Sequence, residues 1–190
     1  MKMLTKAYVD LHKNEIIKEM KDGKIFVYPT DTIYGIGCNA LNKEAVLKIR
    51  GLKRRDTKPF SVITPSTDWI IENCAVNKKA RDWVGKLPGP YTLILPLRNM
   101  NNVAPEVTAG LQTIGVRIPN HWFYDFIKQA GILFVTTSAN AAGMSPMTDF
   151  YSLDSTIKEQ VDYIIYDGAL SNKPSMIVDL TTENEKIIQR

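Results

Sequence analysis

The stretch Ile132-Leu133-Phe134-Val135-Thr136-Thr137-Ser138-Ala139-Asn140 decides the fold. Ile132 to Thr136 is apolar, β-branched or aromatic, and its length and composition predict a buried strand. The chain then turns polar at once, with hydroxyls up to Ser138 and an amide at Asn140. Small polar groups at the C-terminal end of a buried strand suit ligand recognition in an α/β sheet. A helix N-cap at this point is the structural alternative. Ser138 is not read as a nucleophile. The Gly-x-Ser-x-Gly elbow is absent, and nothing nominates a His and an acid to activate the hydroxyl.

Outward from this stretch, Ile114–Ile118 reads as a strand ended by Pro119. His121–Ala130 reads as a helix with Phe123, Phe126 and Ile127 on one face and Gly131 beyond its end. Further strands are expected at Lys24–Tyr28, from Phe60 (FSVIT), and at Tyr91–Leu97, Tyr163–Tyr166, Met176–Leu180 and Lys186–Ile188. Helices are expected at Asp10–Met20, at Lys43–Lys53 with Val46, Leu47 and Ile49 inward, at Ala80–Leu87 and at Leu153–Val161. Arg98–Gln112 reads as loop. Strands and helices mix without strict βαβ alternation. The fold class is therefore α/β: a single domain over residues 1–190 with a mixed parallel/antiparallel sheet and flanking helices.

The chain has 190 residues, of which 44% are apolar and 23% charged, which is globular composition and excludes wholesale disorder. Two cysteines and two histidines exclude a disulfide framework or a four-cysteine zinc site and argue against a His-rich metal site. The N-terminus mixes Lys, Asp and Glu with no signal-type apolar run, and no stretch approaches the ~18 apolar residues of a membrane span. A soluble, reducing, cytoplasmic setting is expected. The net charge of +4 permits an anionic ligand or nucleic acid without requiring one.

Four further segments bear on chemistry. Pro29 to Gly35 (PTDTIYG) leaves a strand with hydroxyls and a glycine, and its bland reading is a turn satisfied by Asp31 and Thr32. Arg50 to Lys58 (RGLKRRDTK) carries Arg50, Lys53, Arg54, Arg55 and Lys58 against one Asp. Clustered guanidinium and ammonium groups suit phosphate oxygens; a solvated charged surface is the alternative. Gly89-Pro90-Tyr91-Thr92-Leu93 is a turn entering a strand. In Thr113 to His121 (TIGVRIPNH), Arg117 lies inside an apolar strand. It answers either a ligand anion or a structural salt bridge. His121 is expected to start or pack the next helix, not to act as a base. Neither phosphate-loop fingerprint, Gly-x-x-x-x-Gly-Lys-Ser/Thr or Gly-x-Gly-x-x-Gly, is present.

In order, PTDTIYGIG, Lys53-x-Arg55 with Lys58-Pro59, GPYTLIL, VRIP, TSAN and PSMIVDL make a pattern that resembles the YrdC-like family, from about Lys24 to Arg190. Active members of that family are threonylcarbamoyl-AMP synthases. The resemblance implies a twisted mixed sheet with helices around a basic concave cleft. It implies a reaction joining L-threonine, bicarbonate and ATP, with Mg²⁺, into threonylcarbamoyl-AMP and diphosphate. The product serves threonylcarbamoylation of the adenosine 3′ of the tRNA anticodon through a downstream tRNA-modifying transferase complex. By motif matching, Lys53, Arg55, Ser138 and Asn140 are the expected catalytic set. Thr32, Tyr34, Arg117, Ser138 and Ser175 are the expected threonine positions. Lys53, Arg55, Lys58, Thr113, Asn140, Thr148 and Arg190 are the expected ATP positions. No dedicated metal ligands are identified, and weak tRNA or double-stranded RNA binding is compatible. Met176 follows Ser175 where the family often has Thr, and Lys58 stands where many members carry Asn. The chain corresponds to the family's short form. Two other readings are an RNA-binding module without chemistry and a paralogue forming another carbamoyl-adenylate, as in hydrogenase-maturation proteins.

Overall fold

A computed structural model describes residues 1–55 and 57–188. Its strands are β1 (Lys2–Leu4), β2 (Phe26–Tyr28), β3 (Gly35–Gly37), β4 (Ser61–Ile63), β5 (Tyr91–Pro96), β6 (Thr113–Arg117), β7 (Phe134–Ser138), β8 (Tyr163–Ile165), β9 (Met176–Asp179) and β10 (Lys186–Ile188). They join in one sheet of order β1-β8-β2-β3-β7-β4-β6-β5-β9-β10. Among the described residues, four pairs are parallel (β1/β8, β2/β8, β4/β6, β5/β9) and five antiparallel (β2/β3, β3/β7, β4/β7, β5/β6, β9/β10). The expected mixed sheet is what forms.

Alternation along the strands divides the apolar residues between the two faces of the sheet. One face carries Val27, Ile36, Val62, Leu93, Leu95, Val116, Val135, Ile164 and Val178 into the larger core. Helices α3 (Lys43–Lys53) and α5 (Lys78–Val84) contribute Val46, Ile49, Ala80 and Trp83 to it. The other face carries Phe26, Tyr28, Ile63 and Phe134. There they meet α1 (Lys6–Leu11), α2 (Lys13–Lys21) and α7 (Tyr124–Ala130) through Val9, Ile16, Met20, Phe126 and Ile127. The rings of Tyr28 and Phe123 stack with centroids 4.6 Å apart. On this second face the same strands change character along their length. Phe134 gives way to Thr136 and Ser138 on β7, and Ile63 to Ser61 on β4. The helical cover therefore has apolar side chains to pack over only part of the face. The rest is a cleft floored by small polar residues.

The helices start where short polar side chains satisfy exposed backbone N–H groups. Asn42 accepts from Ala45 at 2.9 Å, and Asn77 accepts from Ala80 at 2.9 Å. Ser66 caps α4 (Thr67–Asn73), and Asp154 caps α8 (Ser155–Gln160). The expected N-terminal helix is two helices, because Thr5 caps α1 and the chain breaks at His12 before α2 begins. Leu47, expected inward, is exposed, while Arg50 and Lys53 of the same helix are buried. Arg98–Gln112 is more than loop. It holds a short helix, α6 (Pro105–Thr108), whose Val107 and Thr108 are fully buried.

β1, β3 and α4 were not anticipated. β3 is Gly-Ile-Gly, which reads as turn, yet the glycines are what let it pair. A Cβ on Gly37 would lie 1.8 Å from the Val135 carbonyl oxygen of β7. No helix among the described residues is long and apolar enough to cross a membrane.

Candidate functional site

The cleft, of about 250 Å³, opens on the polar half of the second face. Its floor follows the sheet register, Thr136 beside Ser61, Ser61 beside Gly115 and Gly115 beside Ile94. A side chain at Gly115 would fill this floor, with its Cβ 2.5 Å from Ser61 Oγ. Thr113 and Arg117 flank Gly115 on β6, and Thr92 lies on β5. Ser175 precedes β9. The walls come from the 30–34 segment between β2 and β3 and, after α3, from Arg55 and Lys58 to Phe60.

Arg117 reaches the cleft from the middle of the sheet and is buried. Its Nη2 donates to Asp31 Oδ1 at 2.7 Å and to Thr32 Oγ1 at 3.3 Å. Nε is buried and has no hydrogen-bond partner among the described residues. Burial pulls the guanidinium pKa below its ordinary value, and Asp31 opposes that pull. Asp31 is itself fixed, since Oδ2 accepts from the Asn120 N–H at 3.0 Å. The salt-bridge and ligand readings of Arg117 are thus compatible: Asp31 holds the guanidinium while its edge stays on the cleft wall.

The proton count around Thr32 is definite. The Thr30 hydroxyl donates to the Ile33 carbonyl at 2.7 Å and lies 3.0 Å from Thr32 Oγ1. Having one proton, Thr30 must accept from Thr32. Thr32 also accepts from Arg117, so it offers a ligand no further donor. Across the cleft, Thr92 Oγ1 and Ser175 Oγ lie 2.8 Å apart, both buried. One proton serves that bond, and the other remains for the cleft. Tyr34 lines the wall, and its hydroxyl donates to the Gly168 carbonyl at 2.7 Å and accepts from the Asp167 N–H. Burial pushes the phenol up to about 12, so it stays neutral.

Lys53, Ser138 and Asn140 come together at the end of β7. Lys53 Nζ, buried at the last residue of α3, lies 2.6 Å from the Ser138 carbonyl and 3.3 Å from Ser138 Oγ. It lies 2.9 Å from Asn140 Oδ1. It thus ties the helix to the strand end. No helix starts at Ser138, and the next, α8, begins at Ser155, so the N-cap reading of that residue does not hold. Arg55 Nη2 donates to the Pro59 carbonyl at 2.8 Å, and Nη1 lies 3.4 Å from Thr137 Oγ1.

Of the residues expected from the sequence, Thr32, Tyr34, Arg55, Lys58, Thr113, Arg117, Ser138 and Ser175 line the cleft. Lys53 and Asn140 are not among the lining residues, and Lys53 meets the lining residue Ser138. Thr148 is exposed and bonded to Ser152. Arg190 lies outside the described residues. Ser61, Thr92, Thr136 and Asp31 were not singled out. The available signal was period-two alternation of small polar residues on β7, Thr136 and Ser138; β4 and β5 bring one each, Ser61 and Thr92, with no such pattern. His121 packs as expected. Its Nδ1 accepts from the Phe123 N–H at 3.3 Å, and burial holds the ring below its ordinary pKa. Arg50, counted among the basic residues, does not face the cleft.

Residues 18–190 match the family profile described as "Telomere recombination" (Sua5, YciO and YrdC). A Methanocaldococcus jannaschii protein provisionally named threonylcarbamoyl-AMP synthase is 38% identical over 175 residues, 90% of this chain and 80% of that one. The threonylcarbamoyl-AMP synthase of Pseudoalteromonas atlantica is 34% identical, over 82% of this chain and 85% of its own. P. abyssi Sua5 complexed with L-threonine superposes with a TM-score of 0.83 at 25% identity. The match covers 97% of this chain but 55% of that one, so this chain spans about half of that protein. E. coli YciO has the same fold, with a TM-score of 0.86 at 24% identity over 95% of its length. On the profile match and the 38% identity, the chain belongs to the Sua5/YciO/YrdC family.

Proposed function

We propose that the chain is a threonylcarbamoyl-AMP synthase, a nucleotidyltransferase that converts L-threonine, bicarbonate and ATP to threonylcarbamoyl-AMP, diphosphate and water. The observation that carries this reading is the cleft. It gathers Thr32, Tyr34, Arg55, Lys58, Thr113, Arg117, Ser138 and Ser175 from separate segments of the chain. The relatives' shared name supports it, as does the threonine bound in P. abyssi Sua5.

The site chemistry fits the substrates. Arg117 is the cation for the threonine carboxylate. Thr32, with no proton left to give, is an acceptor suited to the amine. The Thr92–Ser175 pair, with one proton left over from the bond between them and open lone pairs, suits the β-hydroxyl, and Ile94 and Ile177 suit its methyl group. Arg55 and Lys58 supply positive charge for the ATP phosphates. The amine adds to the carbonate carbon and water departs, leaving a carbamate. A carbamate oxygen then attacks the α-phosphorus in line as the bond to the bridging oxygen breaks and diphosphate leaves with that electron pair. No protein nucleophile is needed, so catalysis rests on positioning and charge neutralisation.

Among the described residues no group of three His, Cys, Asp or Glu could hold a metal. Mg²⁺ belongs to this reading as the counter-ion ATP brings with it. The adenylate would pass to a tRNA-modifying transferase complex in the cytoplasm, with any direct tRNA or double-stranded RNA contact weak.

The test is mass spectrometry of the nucleotide products from ATP, Mg²⁺, L-threonine and ¹³C-bicarbonate. A threonylcarbamoyl adenylate carrying the label is expected. AMP alone, or an adenylate of threonine without the label, would contradict the proposal.

A further inference from the structure

After α3 the described residues of the basic segment, 54, 55, 57 and 58, lie in no helix or strand, yet Arg55 and Lys58 face the cleft. Arg54 at its start is the C-cap of α3 and sits in the left-handed region, φ 46°, which a non-glycine residue adopts at a cost. Something else must hold this segment in place. Arg50, one helical turn earlier, is buried and points under it. Its Nη1 donates to the Arg55 carbonyl at 2.7 Å and to the Lys58 carbonyl at 3.2 Å. Its Nε donates to the Glu106 carbonyl at 2.8 Å, at α6. The guanidinium lies over the Phe60 ring, 4.8 Å from its centroid, and the Arg55 guanidinium lies 5.3 Å from the same centroid. The Phe60 N–H closes the frame on the Val107 carbonyl at 2.8 Å.

We propose that Arg50 is a positioning residue for the triphosphate side of the site. Its fork fixes the carbonyls of residues 55 and 58 inward, so that the side chains of those residues face the cleft. The requirement is for a guanidinium. One planar group with five donors spans three carbonyls on two segments, whereas an ammonium is a point charge on a flexible stem. The residues of α6 act as the abutment, which gives the 98–112 segment a role in the ATP side of the site. This inference rests on the synthase reading only for the identity of the nucleotide.

The test compares Arg50→Lys with wild type. Circular dichroism and thermal melting establish folding, and ATP affinity is measured by direct titration without threonine or bicarbonate. KM for ATP and for threonine follow from diphosphate release. The expected result is a folded protein with ATP affinity and KM(ATP) weakened about tenfold and KM for threonine within twofold. Arg50→Gln, which keeps two donors without charge, should behave similarly.

Unchanged ATP affinity in a variant with a lowered melting temperature would overturn the proposal and make Arg50 a residue of stability alone. So would equal weakening for ATP and threonine, or loss of folding in both variants. A wild-type protein that binds ATP without releasing diphosphate would refute the synthase reading. The ATP titration would still decide the role of Arg50.

Discussion

Lys53 joins the end of α3 to the 138–140 segment through one ammonium, and its contacts set what its loss should do. Lys53→Met keeps the length of the side chain and leaves the Ser138 and Asn140 oxygens without that donor. Each unsatisfied buried acceptor costs about 1–3 kcal/mol. The expected outcome is a folded protein with a melting point lower by several degrees and diphosphate release down at least a hundredfold, read by melting and by a phosphate-coupled assay. Asp31→Ala tests the other anchor. It leaves the buried Arg117 charge uncompensated, a defect worth about 3–5 kcal/mol. Urea unfolding should show that loss, and KM for threonine should rise more than KM for ATP.

His121 adds a pH dependence. Burial lowers its folded-state pKa below the unfolded ~6.5. As pH falls through 6.5 toward the folded value, the unfolded chain takes up the proton first, so stability falls with acidification and is recovered above pH ~6.5. Urea midpoints at pH 7.5 and 5.5 should differ in that direction. In His121→Gln the part of the difference due to this residue should vanish.

At the scale of elements, β3 shows where a sequence reading and a fold part company. Gly-Ile-Gly has low strand propensity, and only its neighbours explain it. The Val135 carbonyl of β7 occupies the space a side chain at Gly37 would need. Gly37→Ala is therefore expected to cost about 3 kcal/mol by forcing backbone apart, measured as a shifted urea midpoint with the slope unchanged. The bounds of α3, by contrast, were legible from the spacing of Val46 and Ile49, although Leu47, expected inward with them, is exposed. The boundaries of α1 and α2 were not, since Thr5 and His12 act through caps and a break that periodicity does not register. β1 has three residues and gains its strand character from pairing with β8.

At the scale of the molecule, the mixed sheet was readable because short apolar strands punctuated by Pro and Gly mix with helices without strict βαβ alternation. The cleft was readable only through the ordered motifs. Position by position, Thr32 or Ser175 looks like any turn hydroxyl. What the motifs missed is what depends on register: Ser61 and Thr136 meet only because β4 and β7 pair antiparallel at those residues. Asp31 was visible as a turn residue and not as the partner of Arg117, since 86 residues separate them. Lys53 was visible as a cation and not as a buried tie between a helix and a strand end.

The central claim is that this cleft activates a carbamate of threonine with ATP. The most direct measurement is diphosphate release from ATP and Mg²⁺ with L-threonine and bicarbonate omitted in turn. Release is expected only when both are present, and it should be lost in Arg55→Ala. Release that persists without threonine or without bicarbonate, or none at all from the folded protein, would contradict it.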